Sequence, residues 1–525
     1  MASEIMWSYD EKTKVISMPE DDHKTHPKGL GYAMYEGMKK YSNNVAQIDA
    51  VTGKEDLYSS FLQRSIRTAL EMKNLGIGVG DYVSICARNT LDSSIPYIAS
   101  SFIGSILASL DPSLSATDMT FLLNDCKPKI IFVEMECEEI IRKIIAEKNL
   151  CVKVVVFEKD FKLFLQPKQG EDNFECYVPE CNSKTAVILF SSGTTGMPKG
   201  ICLSHNYIMY HSQGMLTDVF LNFATLYWIS LTIALPALVM NGKTRLVCKD
   251  YEPEKVWGYI EKYKVTMMQQ TPYLSIKLME TLPKNFVTSL PTFLIGGNQM
   301  TEEFMKELHR AMPNTKIWFT YGQTELIGMC NARTPLIKNK LKSVGIPFIG
   351  CSYKIVDPET DECLGLNKPG EIRVKSKWCM NGYLNRDSTD AWDEDGFLKT
   401  GDVGYFDDDF CLFIVDRVKE MFKYKGMHYV PAKVEKVLQG HPDISMAVVI
   451  GVPHFEDENR ALAVVVLKKD SKLTPKEIEE FANTRVDEKW WIRAGVEIID
   501  TMPITPSSKI NRRLLKQMFS KNNIY

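Results

Sequence analysis

Ala186-Val-Ile-Leu-Phe190 and the polar run after it, Ser191-Ser-Gly-Thr-Thr-Gly-Met-Pro-Lys-Gly200, decide how this chain is read. A short, unbroken apolar run rich in β-branched residues predicts a buried strand, so the polar loop leaves the strand's end. Three glycines let backbone N–H groups converge, while four hydroxyls and Lys199 add further donors. That collection suits a polyphosphate, which needs many donors and positive charge in a small volume. The loop is not a Walker A motif, because Lys199 does not directly follow the second glycine in the G-x4-G-K-[ST] spacing. The near miss Gly242-Lys-Thr244 has Ala237 where the first glycine belongs.

Outward from that strand, similar runs recur at Val83–Cys86, Ile130–Val133 and Val154–Phe157, each separated by enough chain for a helix. The alternation predicts an α/β architecture with largely parallel sheets. The longest apolar run, Leu226–Met240, is broken by Ser230, Thr232 and Pro236 and is too short for a membrane span. It is expected to be a buried core element.

After about residue 418 the pattern changes to a small α+β unit. Ala447–Ile450 and Ala463–Leu467 read as strands, and Val496–Ile499 as another. Between them Thr474, Pro475 and Glu477 have capping-box spacing, with Ile478, Phe481 and Ala482 as the apolar stripe of the helix they start. The division expected is 1–418 for a large domain and 419–525 for a small one.

With 525 residues the chain can bury large cores without disulfide or metal staples. Its net charge of −3 gives no basic excess that would point to nucleic acid or an anionic membrane. The 13 cysteines are odd in number and include no CxxC pair, which fits reduced thiols in an intracellular protein. No signal peptide and no Ser-Lys-Leu-type ending are visible, so cytoplasm is the default expectation, with peroxisomal import left possible.

The phosphate loop, with His205 downstream in Leu203-Ser-His-Asn206, resembles the signature of the adenylate-forming superfamily of acyl-CoA synthetases, 4-coumarate–CoA ligases and beetle luciferases. Further segments similar to that family's occur in the same order over nearly the whole chain: Gly296-Gly-Asn298, Tyr321-Gly-Gln-Thr-Glu325, Thr400-Gly-Asp-Val-Gly-Tyr405, Val415-Asp-Arg-Val-Lys-Glu420, Lys423-Tyr-Lys-Gly426 and Pro503–Arg512. The resemblance implies a large N-terminal α/β domain and a mobile C-terminal domain closing over a cleft.

It also implies the following roles. Ser191, Ser192, Gly193, Thr194, Thr195, Gly196 and Lys199 would cradle the phosphates of ATP. Gly296, Gly297 and Asn298 would contact adenine, on which Tyr321 would stack beside Gly322. Thr324 would bind phosphate, and Glu325 would hold Mg²⁺, which on phosphates usually takes one or two carboxylates. Asp402 would accept the ribose hydroxyls and Arg417 would bind ribose or phosphate. Lys419 would be the hinge, and Lys423 and Gly426 would border the CoA arm. Lys509 would be the adenylation lysine, with His205 beside the catalytic set; Trp228 and Gln323 would face the acyl pocket.

The activity so implied is ATP-dependent ligation of a fatty or aromatic carboxylic acid to CoA. The alternatives are a luciferase-like monooxygenase acting on an adenylated luciferin, or a pseudoenzyme that binds nucleotide or acyl ligand without turnover. Four departures bear on this choice. Ser508 stands where the family usually has glycine, and Trp228 where beetle luciferases carry a gate histidine. His428 replaces a frequent glutamine, and Phe410 a common turn glycine.

Overall fold

The computed structural model describes the chain except for residues 1–6, 192–197, 214–216, 285, 299, 301, 334–339, 419, 426, 505–509 and 521–525. The strand Thr185–Ser191 forms as its sequence predicts and is buried almost throughout. It belongs to a seven-stranded sheet ordered Gly382–Tyr383, Lys199–Ser204, Thr185–Ser191, Ile106–Ala108, Tyr82–Cys86, Ile130–Val133 and Lys153–Val156. From Thr185–Ser191 outward to Lys153–Val156 all pairings are parallel. Lys199–Ser204 instead runs antiparallel, so the phosphate loop joins neighbouring strands and Lys199 lies opposite Ser191.

A second, nine-stranded sheet has a parallel centre running from Lys316–Gln323 through Thr292–Gly296, Met267–Gln270, Val219–Asn222 and Thr244–Val247 to Val45–Asp49. Antiparallel strands close it on both sides. The apolar run at 226–240 becomes the helix Ile229–Asn241, buried over most of its length. No helix among the described residues is long and apolar enough to cross a membrane.

A third sheet, built around Cys351–Val356, Gly370–Ser376, Leu398–Phe406 and Leu412–Arg417, is antiparallel throughout. The expectation of largely parallel sheets therefore holds for the first two and not for this one. Leu398–Phe406 and Leu412–Arg417 are joined by a tight turn, a connection open to antiparallel strands and not to parallel ones. Phe410 lies in one such turn with φ of 57°, the conformation a glycine would take without strain. Its ring lies against Trp7 and Tyr9, at centroid distances of 5.4 and 5.9 Å.

Beyond Arg417 lies the smaller unit. It has a hairpin, Phe422–Tyr424 with Met427–Tyr429, and a sheet of Ile444–His454, Glu458–Leu467 and Val496–Ile498. The helices Pro431–Gln439, Pro475–Asn483 and Arg512–Ser520 flank that sheet. The capping box at Thr474 and Glu477 is formed in full. The molecule is thus a large N-terminal α/β domain with a smaller C-terminal domain, each around its own apolar core.

Candidate active site

The site takes shape at the end of the strand Lys316–Gln323, which turns back through Thr324 and Glu325 into Leu326–Arg333. The neighbouring strand Thr292–Gly296 ends beside it, with Gly296 opposite Thr320. A Cβ on Gly296 would stand 2.6 Å from the Thr320 hydroxyl, so only glycine lets these strand ends approach. Gly297 continues with φ of 100°, and Asn298 is exposed. A side chain on Gly322 would likewise meet the backbone nitrogen of Gly328 at 2.7 Å.

Asp402 draws residues of two strands together. Its Oδ2 accepts the Tyr321 hydroxyl at 2.8 Å and the Gln323 amide at 2.7 Å, while Oδ1 accepts Arg417 Nε at 2.6 Å. Asp402 and Arg417 face each other across paired strands of the third sheet. The Thr400 hydroxyl accepts the Asp402 N–H at 3.1 Å and donates to the Ile372 carbonyl at 2.6 Å, which fixes the backbone from which the carboxylate projects. Burial, and then the Asp402 charge, push the Tyr321 phenol well above its ordinary value. Burial works against the Arg417 charge, but the Asp402 carboxylate more than offsets it. Gln323, expected at the acyl pocket, turns its amide nitrogen to Asp402 and to the Thr400 carbonyl, 2.7 Å away.

Glu325 forms the second centre. Burial raises its carboxyl above the ordinary carboxylate value, against the Tyr383 hydrogen bond and the nearby charges of Arg417 and Lys199. Tyr383 donates to Oε1 at 3.2 Å, and the Lys199 ammonium lies 4.6 Å from the centroid of the same tyrosine ring. The turn itself is held from behind, where the Tyr207 hydroxyl donates to the Thr324 carbonyl at 2.9 Å and accepts the Ile327 N–H at 3.1 Å. Among the described residues no three His, Cys, Asp or Glu side chains converge in a metal-holding group. One buried carboxylate, Glu325, does fit Mg²⁺, which keeps several waters and usually takes one or two carboxylates rather than a protein cage.

His205 sits elsewhere. It opens the helix His205–Ser212, buried, with Nδ1 accepting the Leu30 N–H at 3.2 Å. Burial lowers it to about 4, leaving a neutral ring that ties this helix to Gly29–Lys40. Trp228 donates its indole N–H to the buried Asp111 carboxylate at 3.0 Å; Thr225 donates to the same oxygen at 2.6 Å. Tyr227 packs edge-on against Trp228 at 4.6 Å. Lys423 is half exposed and lies 4.0 Å from Glu359 of the large domain. Ser191 is half-buried at the strand's end. Ser192, Gly193, Thr194, Thr195, Gly196, Lys419, Gly426, Lys509 and Ser508 lie outside the described residues, as does the His428 side chain.

Sequence reasoning did not single out Tyr207 or Tyr383. Tyr207 follows His205 by two residues on a helix, where nothing distinguishes it from a core aromatic. Tyr383 is 58 residues from Glu325, and no spacing rule links them.

These features are those of a nucleotide-dependent enzyme, and the chain belongs to the AMP-binding enzyme family. That family matches residues 35–384, and the AMP-binding enzyme C-terminal domain matches 433–509. The relatives are CoA ligases and luciferases. A 4-coumarate–CoA ligase of Vanilla planifolia is 30% identical over 526 residues, covering 93% of this chain and 94% of its own. The luciferin 4-monooxygenase of Photuris pensylvanica is 27% identical, covering 98% and 99%. Among solved structures, the luciferase-like enzyme of the nonluminescent mealworm Zophobas morio is 36% identical with a TM-score of 0.73, covering 77% of this chain and 99% of its own.

Proposed function

We propose that this member of the adenylate-forming acyl/aryl-CoA ligase family is an AMP-forming acyl-CoA synthetase, activating a fatty or aromatic carboxylic acid with ATP and passing the acyl group to CoA. The observation that carries the proposal is the gathering of Tyr321, Gln323 and Arg417 on one carboxylate, Asp402, beside a second centre of Lys199, Tyr383 and Glu325. The first centre has the chemistry for a ribose and an aromatic base, the second for a metal-bound phosphate chain.

In the first half-reaction a carboxylate oxygen of the acid attacks the α-phosphorus of ATP, and the bond to pyrophosphate breaks. Asp402 accepts the ribose hydroxyls, and Tyr321 presents a ring face to adenine between Gly322 and the turn at Gly296, Gly297 and Asn298. Lys199, with the 191–196 loop and Thr324, would hold the phosphates, and Lys509 would serve between α-phosphate and carboxylate. Glu325 would hold Mg²⁺, which when bound would supply positive charge against that building on the leaving pyrophosphate. A preorganised cation at Lys509 does the same for the α-phosphate.

In the second half-reaction the CoA thiolate attacks the acyl carbonyl carbon and the bond to AMP breaks. The small domain, turning at the 418/419 boundary on Lys419, brings Lys423 and Gly426 to the CoA arm. Trp228, its indole N–H held by Asp111, would stand at the acyl end, while Gln323 stays with the Asp402 cluster. His205, its Nδ1 taken by Leu30, supports the helix behind the site and moves no proton.

The test is mass spectrometry of the protein with Mg²⁺, ATP and a panel of fatty and aromatic acids, with and without CoA. CoA-dependent thioester with AMP release is expected. Acyl-AMP that never becomes thioester would overturn the ligase reading in favour of another adenylate transfer, and light with luciferin would identify the luciferase-like one.

A further inference from the structure

Tyr383 belongs to none of the motifs that mark the site, yet its side chain touches both charged groups of the phosphate side. It lies in the two-residue strand Gly382–Tyr383, antiparallel to Lys199–Ser204 with Tyr383 opposite Ile201. The flanking backbone is tied down: Asn381 N–H donates to the Cys202 carbonyl at 2.8 Å and Leu384 N–H to the Gly200 carbonyl at 2.7 Å. The Tyr383 N–H donates to the Ser388 hydroxyl at 2.7 Å. The same segment grips the Glu325 turn, since Met380 N–H donates to the Glu325 carbonyl at 2.9 Å.

From this fixed backbone the hydroxyl reaches Glu325 Oε1 at 3.2 Å while the ring lies under the Lys199 ammonium. Among the described residues Lys199 forms no ion pair with a carboxylate. That is unexpected, because the Lys199 charge is near enough to act on Glu325. A direct Lys199–Glu325 pair would satisfy both charges in a partly water-excluded site. It would also take the lysine from the phosphates and the carboxylate from the metal.

We propose that Tyr383 is a positioning residue that keeps Lys199 and Glu325 from neutralising each other. Its ring face takes the cation and its hydroxyl takes the carboxylate, so each is satisfied and stays available to ligand. The ring contact is worth less than a full ion pair, and the hydrogen bond leaves the second carboxylate oxygen for a metal. This rests on the reading of Glu325 as the Mg²⁺ carboxylate.

The test is equilibrium binding of ATP to the full chain, without acid or CoA, in EDTA and in Mg²⁺. In the unaltered protein Mg²⁺ tightens binding. Tyr383→Phe keeps the ring and removes the hydroxyl, so Mg²⁺-dependent tightening should shrink about tenfold while the EDTA value stays unchanged. Tyr383→Leu removes both contacts and should weaken binding in EDTA as well. In a Glu325→Gln background, Tyr383→Phe should have no further effect on the Mg²⁺ dependence. The proposal is overturned if Tyr383→Phe leaves the Mg²⁺ dependence intact while Glu325→Gln abolishes it. It is equally overturned if Tyr383→Phe costs as much in the Glu325→Gln background as alone, which is the behaviour of a merely structural residue. If Glu325→Gln itself leaves the Mg²⁺ dependence untouched, the metal assignment fails, and the positioning role falls with it.

Discussion

Two arginines a short way apart in space hold carboxylates for opposite ends. Arg512, at the start of the last helix, turns all three guanidinium nitrogens to the protein. Nε pairs with Glu420 at 2.7 Å, Nη2 with both oxygens of Glu435 at 2.6 and 2.8 Å, and Nη1 donates to the Val449 carbonyl at 2.9 Å. Arg417 gives Asp402 only Nε among the described residues, and its side chain is 40% exposed where that of Arg512 is 21%. Asp402 in turn collects three donors from two strands, whereas the Arg512 carboxylates serve one cation. The half-exposed arginine beside a carboxylate that gathers neighbours is open to a ligand. The one with all three nitrogens on the protein is a brace.

That contrast is open to attack. Asp402→Ala should cut adenylate formation about a thousandfold, roughly 4 kcal/mol, because it frees Tyr321, Gln323 and Arg417 at once. Single-turnover acyl-AMP yield measures it, and an unchanged yield would mean that the cluster only supports the fold. Arg512→Ala should show the reverse profile, losing about 3–5 kcal/mol of stability by stranding buried carboxylates while ATP affinity holds. Denaturant melts and ATP titrations on the same sample read both, and a stable variant with weak ATP binding would break the distinction.

The buried histidines sharpen the picture at a distance from either arginine. Burial lowers both His205 and His211 to about 4, against roughly 6.5 in the unfolded chain. The unfolded state binds the protons more tightly, so the stability in question is fully present above pH 6.5. It is lost as pH falls toward 4, by up to about 3 kcal/mol for each ring. His205→Asn keeps an acceptor for the Leu30 N–H and should flatten that slope; an unaltered slope in denaturant midpoints would show that His205 does not titrate. The smallest effect belongs to Thr474→Ala, about 1 kcal/mol from the lost helix cap, seen as a lower melting temperature with catalysis intact.

The parts of this architecture legible in the sequence are those where information is local. The buried strand at Thr185–Ser191, the capping box at Thr474 and the motif at Tyr321–Glu325 each lie within a dozen residues, and each is where its pattern predicts. The third sheet escaped because pairing direction depends on how the connections run, which the periodicity of a strand does not record. The bonds converging on Asp402 come from residues 79, 81 and 15 positions away. Asp402 and Arg417 could be named from their motifs. That Gln323 would turn to them, and that Tyr383 would stand between Lys199 and Glu325, depends on packing that no local spacing encodes. His205 could be named from its place after the loop, but its bond to the Leu30 N–H depends on a helix 175 residues earlier in the chain.

The strand Lys199–Ser204 is gripped on both edges, by Thr185–Ser191 on one side and Gly382–Tyr383 on the other. Side chains along a strand alternate between faces, so sliding this one by a single position would exchange every inward residue for its outward neighbour. The ladder on both edges therefore fixes which face Lys199 presents, and a change in length between Ser191 and Lys199 would have to be taken up by the connection and not by the strand.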